Sequence, residues 1–176
     1  MKAYRQADGG VSLFRPDMNA ARMQDGAARM MLPEVPEDVF VRACEAVVAA
    51  NAKWVPPAKS GTLYLRPLLF GSGAALGVAP SPTTTFCVYA SPVGNYFKGK
   101  PGELAPPISL QVSDRFRRAV EGGAGGAKAA GNYAPCFLAS KMVKAAGFSE
   151  VLFVDSATGT KVEEAGASNF FAVVPA

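Results

Sequence analysis

Two periods of hydrophobic and polar positions run along this chain, and the change from one to the other follows the glycines and prolines. Residues 11–14 form a short apolar strand candidate closed by Arg15-Pro16. Asp17 then stands where a helix N-cap belongs, ahead of Met18-Asn19-Ala20-Ala21-Arg22-Met23 and an alanine-rich continuation to Met31. Pro33 ends that predicted helix. A second begins with negative charge at Glu37 and Asp38, and Val39, Phe40, Ala43, Val47 and Val48 recur at helical spacing toward Asn51, giving it one apolar face. The period then shortens. Residues 62–70 and 83–90 are predicted strands, the first ending at Gly71-Ser72-Gly73 and the second at Ser91-Pro92-Val93-Gly94.

Residues 95–107 differ: Lys98-Gly99-Lys100-Pro101-Gly102 and Pro106-Pro107 offer a core little to hold. The pattern therefore divides the chain into a small N-terminal domain over 1–94, an interdomain loop over 95–107 and the beginning of a second domain over 108–176. Residues 108–112 restart a strand. After the glycine-rich stretch 122–131, residues 135–146 read as a helix with Gly147 as its C-terminal cap. Residues 151–154 are a fully apolar run of the kind that becomes a buried strand, Thr158-Gly159 supplies a turn, and Lys161-Val162-Glu163-Glu164 makes a second strand. Residues 169–174 are one further strand candidate. Strands in groups with helices between them, without strict alternation, indicate an α+β fold. The second domain has a thin core, with few strands and one helix to cover them.

Composition narrows the chemistry more than the fold. The 176 residues are 49% apolar and 18% charged, with a net charge of +4 spread along the chain; this is a weak argument for a nucleic-acid partner and equally suits a site for anionic small molecules, and composition does not choose between them. No nucleic-acid partner is expected. Cys44, Cys87 and Cys136 lie far apart in sequence and form no CxxC pair, so a disulfide framework and structural zinc are not expected and the compartment reads as reducing. There is no histidine, which removes Ser-His-Asp and Cys-His catalysis and the usual imidazole metal ligands. No metal site is expected. No stretch approaches the roughly twenty apolar residues that span a bilayer, and no signal or transit peptide is evident after Met1, so a soluble, intracellular protein is expected.

Two glycine-rich segments invite a phosphate-binding reading. Gly71-Ser72-Gly73-Ala74-Ala75-Leu76-Gly77 follows a strand, yet Val78 and Pro80 come where a dinucleotide-binding helix would open. Gly122-Gly123-Ala124-Gly125-Gly126-Ala127-Lys128 is as glycine-rich as a Walker loop, but Ala129 replaces its magnesium-binding hydroxyl. By itself Lys128 reads as a solvated lysine. Its setting changes that. Lys128-Ala129-Ala130-Gly131-Asn132-Tyr133 and Val162-Glu163-Glu164-Ala165-Gly166-Ala167-Ser168-Asn169-Phe170-Phe171 resemble the lysine and glutamate motifs of the branched-chain amino-acid aminotransferases, which are fold-type IV pyridoxal-phosphate enzymes. Arg15-Pro16-Asp17-Met18-Asn19-Ala20-Ala21-Arg22-Met23, Gly61-Thr62-Leu63-Tyr64-Leu65-Arg66-Pro67, Leu76-Gly77-Val78 and Ser91-Pro92-Val93-Gly94-Asn95-Tyr96-Phe97 resemble further motifs of that family, in its order.

The resemblance implies a two-domain, fold-type IV enzyme, truncated at both ends, that transfers the amino group of leucine, isoleucine or valine to 2-oxoglutarate through pyridoxal phosphate. It gives Lys128 the Schiff-base role, Glu164 the cofactor's pyridine nitrogen, Tyr133 its phenolic oxygen and Arg22 its phosphate, with Arg118 as a further cofactor-binding arginine. Tyr64 and Arg66, which share one face of their strand, are implied at the substrate carboxylate. Leu76 and Val78 match a loop that reaches the neighbouring subunit's pocket, which implies a homodimer. Ala167 departs from the family, where many relatives carry threonine. Other fold-type IV activities, a D-amino-acid aminotransferase or an aminodeoxychorismate lyase, remain open, as does an inactive fragment of the enzyme. So do cytoplasm, chloroplast and mitochondrion.

Overall fold

A computed structural model describes residues 1–94 and 106–175, and the 95–105 part of the expected interdomain loop, with the Asn95-Tyr96-Phe97 motif residues, lies outside the described residues. The chain divides into two compact units, Met1–Pro106 and Pro107–Ala176.

In the first unit, β1 (Lys2–Arg5), β2 (Val11–Leu13), β3 (Thr62–Gly71) and β4 (Thr84–Val93) form an antiparallel sheet in the order β2-β1-β3-β4. Helices α1 (Pro16–Arg29) and α2 (Glu37–Ala50) precede β3 in the chain. Alternation along β3 separates its faces: Leu63 and Leu65 are buried, whereas Tyr64 is half-buried and Arg66 exposed. The buried side carries Ala3 of β1 and meets Phe40 and Cys44 of α2 and Ala20 of α1, with Val35 and Val55 closing the cluster. Phe40 stacks on Phe86 of β4 with ring centroids 6.0 Å apart. This is the amphipathic face that the spacing of Phe40, Val47 and Val48 predicts.

In the second unit, β5 (Leu110–Val112) pairs in parallel with β6 (Glu150–Val154), which pairs antiparallel with β7 (Val162–Ala165). Helix α3 (Phe137–Ala145) packs Ala139 and Val143 against Val151 and Phe153 of β6. Gly147 follows it at φ +89°, and the Phe148 N–H reaches back to the Val143 carbonyl, the C-terminal closure expected of that glycine. The strand-turn-strand reading of residues 151–164 is β6 and β7.

Several local expectations are corrected. Helix α1 starts at Pro16, not after Asp17: proline fits the first helical position, Arg15 just before it takes the left-handed conformation at φ +44°, and Asp17 lies in the first turn paired with Arg15 at 2.7 Å. The helix ends at Arg29, before Pro33 is reached. Strand β4 runs through Pro92 to Val93, which is tolerated because β4 is an edge strand; Pro67 of β3 likewise lies beyond the part of β3 that β1 covers. The helix expected from Pro135 begins at Phe137, after single 3₁₀ turns at Ala130–Asn132 and Ala134–Cys136. Residues 169–174 form no strand beyond a lone bridge between Glu164 and Asn169, and Phe171, Val173 and Val174 are exposed. Apolar, β-prone residues make a strand only where a neighbouring backbone takes their hydrogen bonds.

Candidate active site

In the second unit the chemistry-bearing side chains stand on irregular backbone that polar bonds hold in place. β5 delivers the chain to Ser113, whose N–H donates to the Leu152 carbonyl at 2.8 Å and so carries the pairing with β6 one residue past the strand. The buried Ser113 hydroxyl donates to the Phe116 carbonyl at 2.8 Å and accepts from the Phe116 N–H at 3.1 Å. Arg117 Nη1 gathers the carbonyls of Ser113, Asp114 and Phe116 at 3.1–3.3 Å. Its Nη2 lies 3.0 Å from where a Cβ on Gly159 would stand, at φ +68° in the β6–β7 turn. Arg118 therefore leaves a tied turn that is also packed against the hairpin carrying Glu164.

Lys128 lies at the exposed end of the glycine-rich stretch, and its Nζ donates to the Tyr133 hydroxyl at 2.5 Å. The 3₁₀ turn Ala130–Asn132 returns Tyr133 to it, with the Tyr133 N–H bonded to the Ala130 carbonyl. The Arg118 guanidinium lies over the Tyr133 ring, 5.2 Å from its centroid, while Lys128 Nζ, bonded to the hydroxyl, stands off the ring's edge. Arg118, only 7% exposed, reaches Glu164 of β7 with Nε 3.2 Å from Oε1. That distance gives charge attraction without hydrogen-bond alignment, so buried Nε and Nη1 keep no hydrogen-bond partner. Gly166, two residues after Glu164, leaves room for Glu150: a Cβ there would stand 2.7 Å from Glu150 Oε1 and displace a carboxylate that accepts from the Ser140 hydroxyl and the Val151 N–H. Cys136, buried nearby, has its thiol pushed up by burial against the opposing field of Arg118.

This group of side chains suits a small polar aromatic ligand. It offers a primary amine, a phenol and a partly exposed carboxylate, and the two buried Arg118 nitrogens lacking an acceptor mark where such a ligand's charge is needed. An open cleft of about 410 Å³ borders Glu164, lined also by Ala119, Glu163, Asn169, Phe170 and Phe171. Lys128 and Tyr133 are not in that lining. Among the described residues no cluster of Cys, Asp and Glu can hold a metal ion.

The structure thus brings together four of the expected site residues, Lys128, Tyr133, Arg118 and Glu164. The other five belong to the first unit. Arg22 is exposed on α1, its Nη2 bonded to Asn19 Oδ1 at 2.8 Å, and Asn19 in turn bonds the Arg15 carbonyl. Tyr64 and Arg66 share the face of β3 turned away from the core, with the Arg66 guanidinium 5.3 Å from the Tyr64 ring. Leu76 and Val78 are fully exposed in the segment joining β3 to β4. Sequence reading passed over the supports Ser113, Arg117 and Glu150. Each acts through bonds to backbone or to residues distant in sequence, and the only local sign was Ser113 directly after a strand.

Comparison with known proteins decides the family. The model of the family described as amino-transferase class IV matches residues 1–174. The chain belongs to that family. It is 50% identical over 173 residues to branched-chain-amino-acid aminotransferase 6 of Arabidopsis thaliana, covering 98% of this chain and 47% of the relative. It is 52% identical over 172 residues to the mitochondrial branched-chain amino acid aminotransferase 1 of Humulus lupulus, covering 98% of this chain and 43% of that one. The crystal structure of the T.th. branched-chain amino acid aminotransferase with pyridoxamine 5'-phosphate superposes with a TM-score of 0.76 at 25% identity, covering 94% of this chain and 51% of that one. The α+β, fold-type IV expectation holds. This class IV chain spans about half the length of the curated relatives it matches, and none of its described helices is long and apolar enough to cross a membrane.

Proposed function

We propose that the protein carrying this chain is a pyridoxal-phosphate-dependent branched-chain amino-acid transaminase, which moves the amino group of leucine, isoleucine or valine to 2-oxoglutarate. The observation that carries the reading is the linked set Lys128, Tyr133, Arg118 and Glu164, in which amine, phenol, guanidinium and carboxylate converge from segments up to 46 residues apart. The names of the relatives support the substrate class, and the pyridoxamine 5'-phosphate of the T.th. aminotransferase structure supports the cofactor.

When bound, pyridoxal phosphate supplies an aldehyde that takes up the amino group and a ring that draws electrons from the substrate's α-carbon. Lys128 would hold it through its amine. When not bonded to the cofactor, the Lys128 amine would serve as the base that moves a proton at the substrate α-carbon. Glu164 would accept the pyridine N–H, with the Arg118 Nε beside it 3.2 Å from its carboxylate. Tyr133 donates to the phenolic oxygen. Arg22 binds the phosphate, for which a permanently charged, forked guanidinium is suited. Tyr64 and Arg66 take the substrate carboxylate, and Leu76 and Val78 extend to the pocket of a second copy in a homodimer. Several relatives are named chloroplastic or mitochondrial, which favours an organelle for this protein too.

Lys128→Ala should abolish both the cofactor-dependent visible absorbance and leucine turnover. Retention of both would end the assignment. Leucine, D-alanine and aminodeoxychorismate as parallel substrates separate this reading from the other fold-type IV activities, with leucine expected to be turned over at least tenfold faster. The thin core around Phe153 and the exposure of Phe171, Val173 and Val174 favour a second reading for the 176 residues alone, as a piece that retains the cofactor poorly. Leucine transamination by the isolated chain would overturn it.

A further inference from the structure

Between Gly122 and Gly131, Lys128 is the single residue whose side chain can hydrogen-bond; the other nine are glycine and alanine. Such a stretch has the largest backbone entropy to lose and few side-chain groups of its own to hold it. The bonds come from the next residue. Both hydrogens of the half-buried Asn132 amide are used on this loop, Nδ2 donating to the Ala124 carbonyl at 2.7 Å and to the Ala127 carbonyl at 2.8 Å. These two oxygens are also the acceptors of the loop's own turns, from the Ala127 N–H at 3.0 Å and the Ala129 N–H at 2.9 Å. The second turn has Lys128 at its centre. The Asn132 N–H returns to the Ala129 carbonyl at 3.2 Å, so one residue ties the backbone on both sides of Lys128.

We infer that Asn132 is the positioning residue for Lys128: its amide fixes the turn that aims the lysine amine, and so sets how readily that amine meets an aldehyde. The inference rests on the transaminase reading of Lys128 and adds to it a residue whose amide hydrogens both go to the loop's own carbonyls. Its consequence is kinetic. Reaction of a held amine with a held aldehyde gains from orientation, and releasing the turn should lose about tenfold of that gain while leaving the ring's other contacts in place.

The test compares two probes on the protein carrying this chain. Pyridoxal phosphate is captured covalently and fixed by borohydride as a label on Lys128, whereas pyridoxamine phosphate has no aldehyde and binds without the lysine bond. In Asn132→Ala, the rate of labelling at Lys128 should fall about tenfold while pyridoxamine phosphate affinity stays within about threefold. Asn132→Asp has the same size but no amide hydrogens and should fail as Asn132→Ala does. Should Asn132→Ala not fold, Asn132→Ser, with one hydroxyl hydrogen to give, is read in its place for the same two quantities. Unchanged labelling, equal losses with both probes, or wild-type behaviour of Asn132→Asp would each overturn the inference. Failure of the underlying reading looks different: the wild-type protein would then carry its label on a residue other than Lys128, or none.

Discussion

The two units carry their candidate residues in opposite ways. In the first, Tyr64 and Arg66 ride on a ten-residue strand paired along its whole length with β4, over a core that runs from Ala3 to Leu65. Their placement follows from the alternation of the strand. In the second unit the regular elements are short, and Arg118, Lys128 and Tyr133 stand outside every strand and α-helix. There the backbone is set by single side chains bonded to carbonyls and N–H groups: Ser113, Arg117, Asn132 and Asp155. The first unit should therefore be sensitive to lost volume, and the second to single lost donors or acceptors.

Phe40→Ala is the strongest test of the first half of that contrast. Phe40 is 2% exposed and stacked on Phe86, and its loss should cost about 3–5 kcal/mol through lost burial and the cavity left behind. Trp54 is the sole tryptophan and lies in the same unit, so its fluorescence reports the transition directly. A urea midpoint equivalent to less than about 1 kcal/mol of change would mean that β-pairing, not the core, carries this unit. Ser113→Ala is the matching test in the second unit and should have a smaller effect. It removes one oxygen that both donates and accepts, leaving the Phe116 N–H and carbonyl to find water, at a cost of about 1–2 kcal/mol. Thermal melts with and without pyridoxal phosphate check it. A neutral Ser113→Ala would show that the turn before Arg118 is held by Arg117 alone.

The contrast also explains what could be read from sequence. Helix α2 and the buried strand β6 were legible because periodicity and apolar runs are local signals, and Gly147 was legible because few residues but glycine take its backbone angle. Strand β1 was missed. Four residues are too few to show a period, and its evidence is the pairing of Lys2 and Ala3 with Tyr64 and Leu63, some sixty residues away. Residues 169–174 show the converse error, since strand propensity was present and a partner strand was not. Motif resemblance picked out Lys128, Tyr133, Glu164 and Arg118 as candidates, but not that Arg118 would pair with Glu164, because an ion pair spanning 46 residues leaves no trace in local pattern. The Asn132 amide lay within the quoted motif, and its partners are backbone carbonyls, which have no residue type to recognise.

The smallest expected effect probes the same rule at Asp155, in the turn between β6 and β7. Its carboxyl is held far below the ordinary 3.8, first by the Lys161 N–H, then by the Thr158 N–H, against a desolvation that works the other way, with the Thr158 hydroxyl and the Thr160 N–H adding smaller contributions. A carboxylate depressed on folding adds stability that is fully present above its unfolded value and is lost as pH falls through the folded one. The contribution should therefore be intact at pH 7 and decline only below about pH 3.8, as the unfolded chain takes up a proton that the folded turn refuses. In Asp155→Asn the remaining carbonyl accepts fewer of these bonds and carries no charge. Urea midpoints should differ between wild type and variant at pH 7, and the gap should narrow steadily from about pH 4 to about pH 2. A gap of the same size at both ends would mean that the turn is held by its shape, with Gly159 as the cause, and that hydrogen bonding to one carboxylate does not govern this part of the second unit.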